Sequence, residues 1–281
     1  MAIVNTEQIR SANLPVRGNL TLAYIISLAI AILMAIASVA GLLYPATVYP
    51  TRDLLRSFLP NDVVNLLVGV PALLASMWLA RRGVLAGLLF WPGALFYVLY
   101  NYLVPIFCMP LNAAFPLHLA LVTLSVYTII GLIAGIDGTV VQRRLAGAVP
   151  EKAGGAILAC AGVLFFVRVA VMLVNALLKR TTASEAEVAV YVVDFLITPA
   201  WIVGGVLLWR RKPLGYVAGL GLLFQASILF IGLVMYMILR PFTTGEQFVL
   251  GDALVISVMG LIFFIPFGLF VRGVTLKTKP Q

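Results

Sequence analysis

Three ionisable residues of this sequence, Arg168, Asp194 and Asp252, stand inside long apolar stretches. If such a stretch crosses a bilayer, a charged side chain near its centre costs roughly 2.5 kcal/mol or more on insertion scales. An arginine cannot relieve that cost by deprotonating, so it needs a partner or water. These three residues are therefore the first candidates for binding a ligand or a substrate.

Uncharged polar residues extend this set, and helical spacing groups them into faces. Tyr97, Tyr100 and Asn101 share one face, while Arg168 and Asn175 are seven residues apart on another. Two more faces comprise Tyr191, Asp194 and Thr198, and Gln225, Gly232 and Tyr236. The full set of candidate pocket residues is Arg168, Asp194, Asp252, Asn65, Tyr97, Tyr100, Asn101, Asn175, Gln225 and Tyr236.

Two interpretations of these faces stay open. In the first, the polar residues form an outward-facing pocket that binds or transports a small or lipid-like ligand. In the second, Arg168 pairs with Asp194 only to hold helices together, and the protein is a structural or assembly component. A water-accessible Arg168 favours the ligand, and a dry pair favours the structural role.

Catalytic and metal chemistry has few candidate residues. His118 is the sole histidine, which excludes a multi-histidine zinc site and bis-histidine haem ligation within one chain. We expect it to be an ordinary interfacial residue. The sequence has no His-Glu-x-x-His, Gly-x-Ser-x-Gly or Walker motif. No catalytic residue, metal or cofactor is predicted, and an intramembrane enzyme is the third alternative.

Membrane-spanning helices must position these residues. Of 281 residues, 63% are hydrophobic and 10% are charged, whereas soluble domains have about 25% charged residues. A water-soluble fold of this length could not cover so much apolar surface. The net charge of +9 does not indicate nucleic acid, because Lys and Arg form short clusters at the ends of apolar runs. The expected partner is the lipid bilayer.

Eight apolar runs approach or exceed the roughly 20 residues that cross a bilayer. They lie at 20–43, 62–80, 83–106, 113–136, 154–178, 188–209, 213–239 and 248–271. The predicted fold class is an all-α polytopic transmembrane bundle of eight helices. Before the second run, Thr51 is expected to cap a brief separate helix that lies on the membrane surface. Ser184 and Glu187 form a capping-box pattern that marks the start of the sixth span.

The basic residues predict the orientation of the bundle. One side holds 13 of the 19 Lys and Arg residues, namely Arg10, Arg17, Arg81, Arg82, Arg143, Arg144, Lys152, Arg210, Arg211, Lys212, Arg272, Lys277 and Lys279. The other holds five, namely Arg52, Arg56, Lys179, Arg180 and Arg240. An excess of positive charge marks the cytoplasmic side. We therefore expect a multi-pass protein of the cell membrane, with cytoplasmic segments at 1–19, 137–153 and 272–281.

The two transmembrane halves, 20–136 and 154–271, resemble each other in sequence. Asn65, a proline, a tryptophan and an Arg pair follow one another in the first half, and Asp194 begins the same order 129 residues later. We interpret this order as two tandem four-helix repeats in parallel orientation. Glycine pairs four residues apart, including Gly131 with Gly135, permit close helix packing. They are expected to pack mainly within the chain, although they also permit oligomerisation.

Overall fold

The computed structural model describes residues 14–179, 183–245 and 247–277. Three basic residues that contribute to the orientation prediction, Arg10, Arg180 and Lys279, lie outside these ranges. Within the described ranges, eight long helices make up the bundle: α1 (Thr21–Leu43), α2 (Arg52–Arg81), α3 (Leu85–Cys108), α4 (Phe115–Gly135), α5 (Glu151–Lys179), α6 (Glu185–Trp209), α7 (Pro213–Thr244) and α8 (Leu250–Lys277). Two short helices, Pro45–Val48 and Gly138–Leu145, lie in the connections.

The all-α polytopic fold predicted from the sequence is confirmed. Each of the eight helices is long and apolar enough to cross a membrane. Large apolar side chains are exposed on the outside of the bundle, for example Leu22, Val163 and Leu254. Helices satisfy their own backbone hydrogen bonds, so they can present such side chains to lipid. The protein is therefore a multi-pass membrane protein whose apolar surface contacts the bilayer.

The predicted surface helix before the second span is wrong as a separate element. Thr51 does cap a helix, because its hydroxyl accepts a bond of 3.2 Å from the backbone N–H of Leu54. That helix then continues through Pro60 and a π-helical stretch, Asn65–Gly69, to become α2. The π stretch shifts the hydrogen-bond register just before Pro71, where a proline is tolerated as in a first helical turn. The second span is therefore one continuous helix that contains Pro60 and Pro71.

Helix α3 lies at the centre of the bundle and crosses α7 closely. In α3, 78% of the residues in its most apolar stretch are buried, compared with 17% in the corresponding stretch of α5 at the periphery. At the crossing, a Cβ atom added to Gly93 of α3 would lie 2.1 Å from the carbonyl oxygen of Gly221 in α7. Only glycine permits the two backbones to approach so closely. This contact fixes the distance between the two halves of the chain.

One end of the bundle contains the α2–α3, α4–α5 and α6–α7 connections and carries Arg81, Arg143 and Arg211. We call it the basic end. The Arg17 side chain lies 3.6 Å from the Asp137 carboxylate. Asp137 also caps the helix Gly138–Leu145 by accepting bonds from the hydroxyl and the backbone N–H of Thr139. These bonds lower the pKa of Asp137 to about 2.

Glu151 fastens the connection between the halves at the same end. Its carboxylate accepts bonds from the backbone N–H of Gly147 at 2.7 Å and from the Tyr216 hydroxyl at 3.0 Å. The Arg211 guanidinium lies 3.9 Å away. Helix α5 begins at Glu151 rather than near residue 154, because this carboxylate is held at the helix start.

The turns after α2 and α6 share one backbone geometry. Gly83 and Arg211 both have positive φ angles, 77° and 55°. The N–H of Gly83 bonds to the Ala80 carbonyl and that of Arg211 to the Leu208 carbonyl, both at 2.9 Å. Gly83 and Arg211 are 128 residues apart, close to the predicted shift. The duplication and the parallel orientation stay a prediction, which this shared geometry supports.

Candidate ligand-binding cavity

A large cavity lies in the half of the bundle opposite the basic end. Its volume is about 1040 Å³, which is at the upper end of the range for small-molecule sites. Residues of α2, α3, α5, α6, α7 and α8 line it, and no described residue of α1 or α4 does. The lining carries charges of both signs, from Arg56, Arg168, Arg240, Asp53, Glu187, Asp194 and Asp252.

One wall of the cavity is a single face of α6. Ser184 starts this helix with a capping box in which the Glu187 side chain bonds back to the Ser184 N–H. From that start, Tyr191, Asp194 and Thr198 all line the cavity, as their helical spacing predicts. The capping-box prediction is confirmed, and the cap sets where α6 begins.

Asp194 takes its hydrogen bond from α3 rather than from Arg168. The Tyr100 hydroxyl donates to Asp194 Oδ1 at 2.9 Å. Arg168 of α5 also lines the cavity, and its charge interacts with Asp194 and Tyr100 through space. The direct ion pair expected between Arg168 and Asp194 is therefore not formed. A carboxylate with a tyrosine donor and a nearby guanidinium can bind a ligand cation or share the arginine with a ligand anion.

Pro60 explains why Tyr236 belongs to the cavity. A proline has no N–H, so the carbonyl four residues earlier in the helix, that of Arg56, loses its usual donor. The Tyr236 hydroxyl of α7 lies 3.4 Å from this carbonyl oxygen and donates to it. The bond joins α7 to the first turns of α2 and places the Tyr236 ring on the cavity wall.

Asn65 and Gln225 lie behind the cavity wall and support residues that line it. The Tyr97 hydroxyl donates to Asn65 Oδ1 at 3.4 Å. Trp201 Nε1 donates to Gln225 Oε1 at 2.8 Å, and Gln225 is fully buried. Tyr97 and Trp201 both line the cavity. The two amides therefore orient aromatic rings instead of contacting the cavity themselves.

The ten predicted pocket residues divide into three groups. Seven line the cavity: Arg168, Asp194, Asp252, Tyr97, Tyr100, Asn101 and Tyr236. Two support it from behind, Asn65 and Gln225. Asn175 lies on an exposed part of α5 away from the lining, because α5 contacts the bundle mainly through the face that packs on α6. The sequence analysis did not select Arg56, Asp53 or Trp201. Arg56 and Asp53 line the cavity because α2 already begins at Arg52, and Trp201 is held on the wall by its bond to Gln225.

A second group of polar residues is buried between α1, α2, α3 and α4. Asp62 of α2 is 5% exposed and accepts a bond of 2.5 Å from the Tyr49 hydroxyl. Ser38 of α1 also lies next to this carboxyl group. Tyr102 of α3 lies 3.3 Å from Ser38. We call Ser38, Tyr49, Asp62 and Tyr102 the Asp62 cluster.

The sequence analysis missed the Asp62 cluster because it placed residue 62 at the start of a span. His118 lies beside the cluster, with its ring centroid 5.6 Å from that of Tyr102. It is 4% exposed, so its ring is buried among protein side chains in the first turn of α4, and its interfacial depth stays a prediction. Its Nδ1 atom is buried and has no hydrogen-bond partner among the described residues. The first turns of α4 pack on α3, and this packing covers the ring.

Comparisons with protein-family models, with curated proteins and with solved structures find no match to this chain. Its function is therefore argued from the cavity and the buried polar residues alone.

Proposed function

We propose that the protein binds or moves a small amphipathic or lipid-like ligand through the cavity between α2, α3, α5, α6, α7 and α8. The observation that carries this proposal is a cavity of about 1040 Å³ inside a membrane bundle whose lining includes three arginines and four carboxylates. Charged groups at such depth are expensive unless they face water, partners or a ligand.

The chemistry of the lining favours a ligand with a polar head and an apolar body. Leu164 of α5 and Val255 of α8 line the cavity and are also about 60% exposed. They mark a side on which the cavity reaches the surface that faces lipid. A lipid-like molecule could enter there with its head near Arg168 and Asp194 and its chain along α5 and α8.

The proposed orientation places this cavity on the outer side of the cell membrane. Its support is the excess of Lys and Arg at the basic end, which is the opposite end of the bundle. Both termini would then lie in the cytoplasm. The two halves would be tandem repeats in the same orientation, related by an axis along the membrane normal that passes near Gly93 and Gly221.

Cysteine labelling tests whether the cavity is open to water from outside. Tyr191 lines the cavity and its neighbour Val192 does not, although both lie at the same depth on α6. In a background with Cys108→Ser and Cys160→Ser, Tyr191→Cys should react with an impermeant thiol reagent added outside. Val192→Cys should not react. Equal reactivity at the two positions would refute a hydrated cavity, and labelling only from the cytoplasmic side would refute the orientation.

Ligand binding itself is tested by the lipids that purify with the protein. We expect mass spectrometry of the wild-type protein in mild detergent to detect a bound amphipathic molecule, and Arg168→Gln to reduce its occupancy severalfold. Lys152→Gln, a change of charge away from the cavity lining, is the matched control and should leave occupancy unchanged. Equal loss in both variants would indicate a general charge effect and contradict the proposal.

A structural role is the second candidate, and one observation favours it. Tyr100 and Asp194 join α3 to α6 through a bond of 2.9 Å, so the polar residues already satisfy one another in part. If packing is their only role, Tyr100→Phe should lower thermal stability while bound lipid and Tyr191→Cys labelling stay absent. Detection of a bound ligand would exclude this alternative.

A further inference from the structure

The Asp62 cluster is separate from the ligand cavity and contains a carboxyl group deep in the bundle. Asp62 is ten residues from the start of α2, or about 15 Å along the helix axis. It is 5% exposed and is not among the residues that line the cavity. Two other charged residues of α2, Asp53 and Arg56, face the cavity instead. Asp62 therefore needs an explanation that the proposed ligand does not give.

Within the part of the chain that the structure describes, no cation pairs with Asp62. The side chains that face its carboxyl group are Tyr49 of the α1–α2 connection, Ser38 of α1, and Tyr102 of α3, with His118 of α4 beyond Tyr102. The groups that act on this carboxyl are the Tyr49 and Ser38 hydroxyls, and no described lysine, arginine or histidine is among them. A buried carboxylate without a paired charge is strongly unfavourable, and more so in lipid than in water.

The carboxyl group has no room for a metal ion on the side that faces α1. Gly41 of α1 packs directly against it: a Cβ atom added there would lie 2.0 Å from Asp62 Oδ2 and 2.7 Å from the Tyr49 hydroxyl oxygen. A sodium or calcium ion would need several oxygen ligands at more than 2 Å and room for them. A proton needs no such room.

The hydrogen bonds of the cluster fit a protonated acid. Tyr49 donates to Asp62, and Tyr102 donates to the Met34 carbonyl oxygen at 3.2 Å. Burial raises the pKa of Tyr49 well above its ordinary value, so this hydroxyl keeps its hydrogen. Ser38 then has one hydrogen, which it can donate to Tyr102 while its oxygen accepts from an Asp62 O–H. In this row of hydrogen bonds, each hydroxyl donates once and the carboxyl group is neutral.

We propose that Asp62 is a proton-binding site, closed from the ligand cavity, which holds a proton in the state described here. Release of the proton to water breaks the O–H bond and leaves a carboxylate with no cation between α1 and α2. Water must then enter, or α1 must move away from α2. The proposal does not depend on the identity of any cavity ligand.

Infrared spectroscopy of the full chain in lipid nanodiscs tests this proposal. The wild-type protein at neutral pH should show a carboxylic-acid C=O band that shifts when aspartate is labelled with ¹³C. Asp62→Asn should remove that band. Asp53→Asn is the matched control on the same helix and should leave it intact. A spectrum that Asp62→Asn does not change would overturn the proposal, as would loss of the wild-type band on adding sodium at constant pH.

A second variant keeps the proposal testable if Asp62→Asn does not fold. Tyr49→Phe retains the ring that stacks on Phe58, with centroids 5.7 Å apart, and removes only the hydroxyl that donates to the carboxyl group. The C=O band of the labelled protein should then move to higher frequency, because the group loses a hydrogen bond. An unmoved band would show that the protonated aspartate is not Asp62 and would refute the assignment.

Discussion

The crossing of α3 and α7 at Gly93 and Gly221 gives the sharpest prediction of this structure. In Gly93→Ala, the new Cβ would lie 2.1 Å from the Gly221 carbonyl oxygen and 2.7 Å from its carbonyl carbon. Ordinary contacts begin at 3.4 Å, so the two backbones must separate by about 1.3 Å. Backbone atoms cannot rotate away as a flexible side chain can, and both glycines are buried at the centre of the bundle.

The expected cost follows from that separation. Overpacking a well-packed core typically costs about 1–3 kcal/mol, and helices in lipid associate largely through close van der Waals contact, which this change removes along the crossing. We therefore expect Gly93→Ala to lower the unfolding free energy by about 3 kcal/mol. The measurement is the unfolding midpoint in mixed detergent micelles containing increasing dodecyl sulfate, followed by circular dichroism.

Gly131→Ala is the matched control, since it makes the same change in an apolar helix. No atom lies within 4 Å of a Cβ added at Gly131. Alanine is the better helix former by up to about 1 kcal/mol, so this variant should be unchanged or slightly more stable. If Gly93→Ala unfolds at the same midpoint as Gly131→Ala, the close crossing of α3 and α7 is refuted, and with it the central position of α3.

Three further predictions concern the ends of the bundle and the wall of the cavity. Ser184→Ala should lower stability by about 1 kcal/mol through loss of the α6 cap, measured as a lower Tm, while Ser184→Thr should keep most of it; equal loss in both would contradict the cap. The folded pKa of Asp137, about 2, lies below the unfolded value of about 3.9. Its stabilisation is therefore complete above the unfolded value and is lost as the pH falls through the folded one. The Tm difference between wild type and Asp137→Asn should shrink between about pH 4 and pH 2, and a constant difference would refute the lowered pKa. Trp201→Phe should cost about 1–2 kcal/mol, because it leaves the buried Gln225 oxygen without a donor. Adding Gln225→Leu should recover part of that Tm, and a further loss would contradict the pairing.

The span count and helical class were predictable because each span must be predominantly apolar over about 20 residues. The pattern of hydropathy along the chain is therefore enough to find eight of them. Helix caps were predictable because they are local: the bonds of Ser184 and Thr51 reach only three residues along the chain. The sequence failed at the surface helix before α2. There a proline and several polar residues resemble a break, and the Tyr236 hydroxyl of α7 bonds to the Arg56 carbonyl that Pro60 leaves without its usual donor.

Helical spacing also predicted which candidate residues share a face, because neighbouring turns of one helix fix it. Tyr191, Asp194 and Thr198 line one cavity as expected. Which faces meet was a different question, since it depends on how far apart the helices lie and how each is rotated. Only the tertiary structure decided that Asp194 bonds to Tyr100 instead of pairing with Arg168. It likewise decided that Ser38 and His118, far apart in the chain, lie beside the same tyrosine, Tyr102.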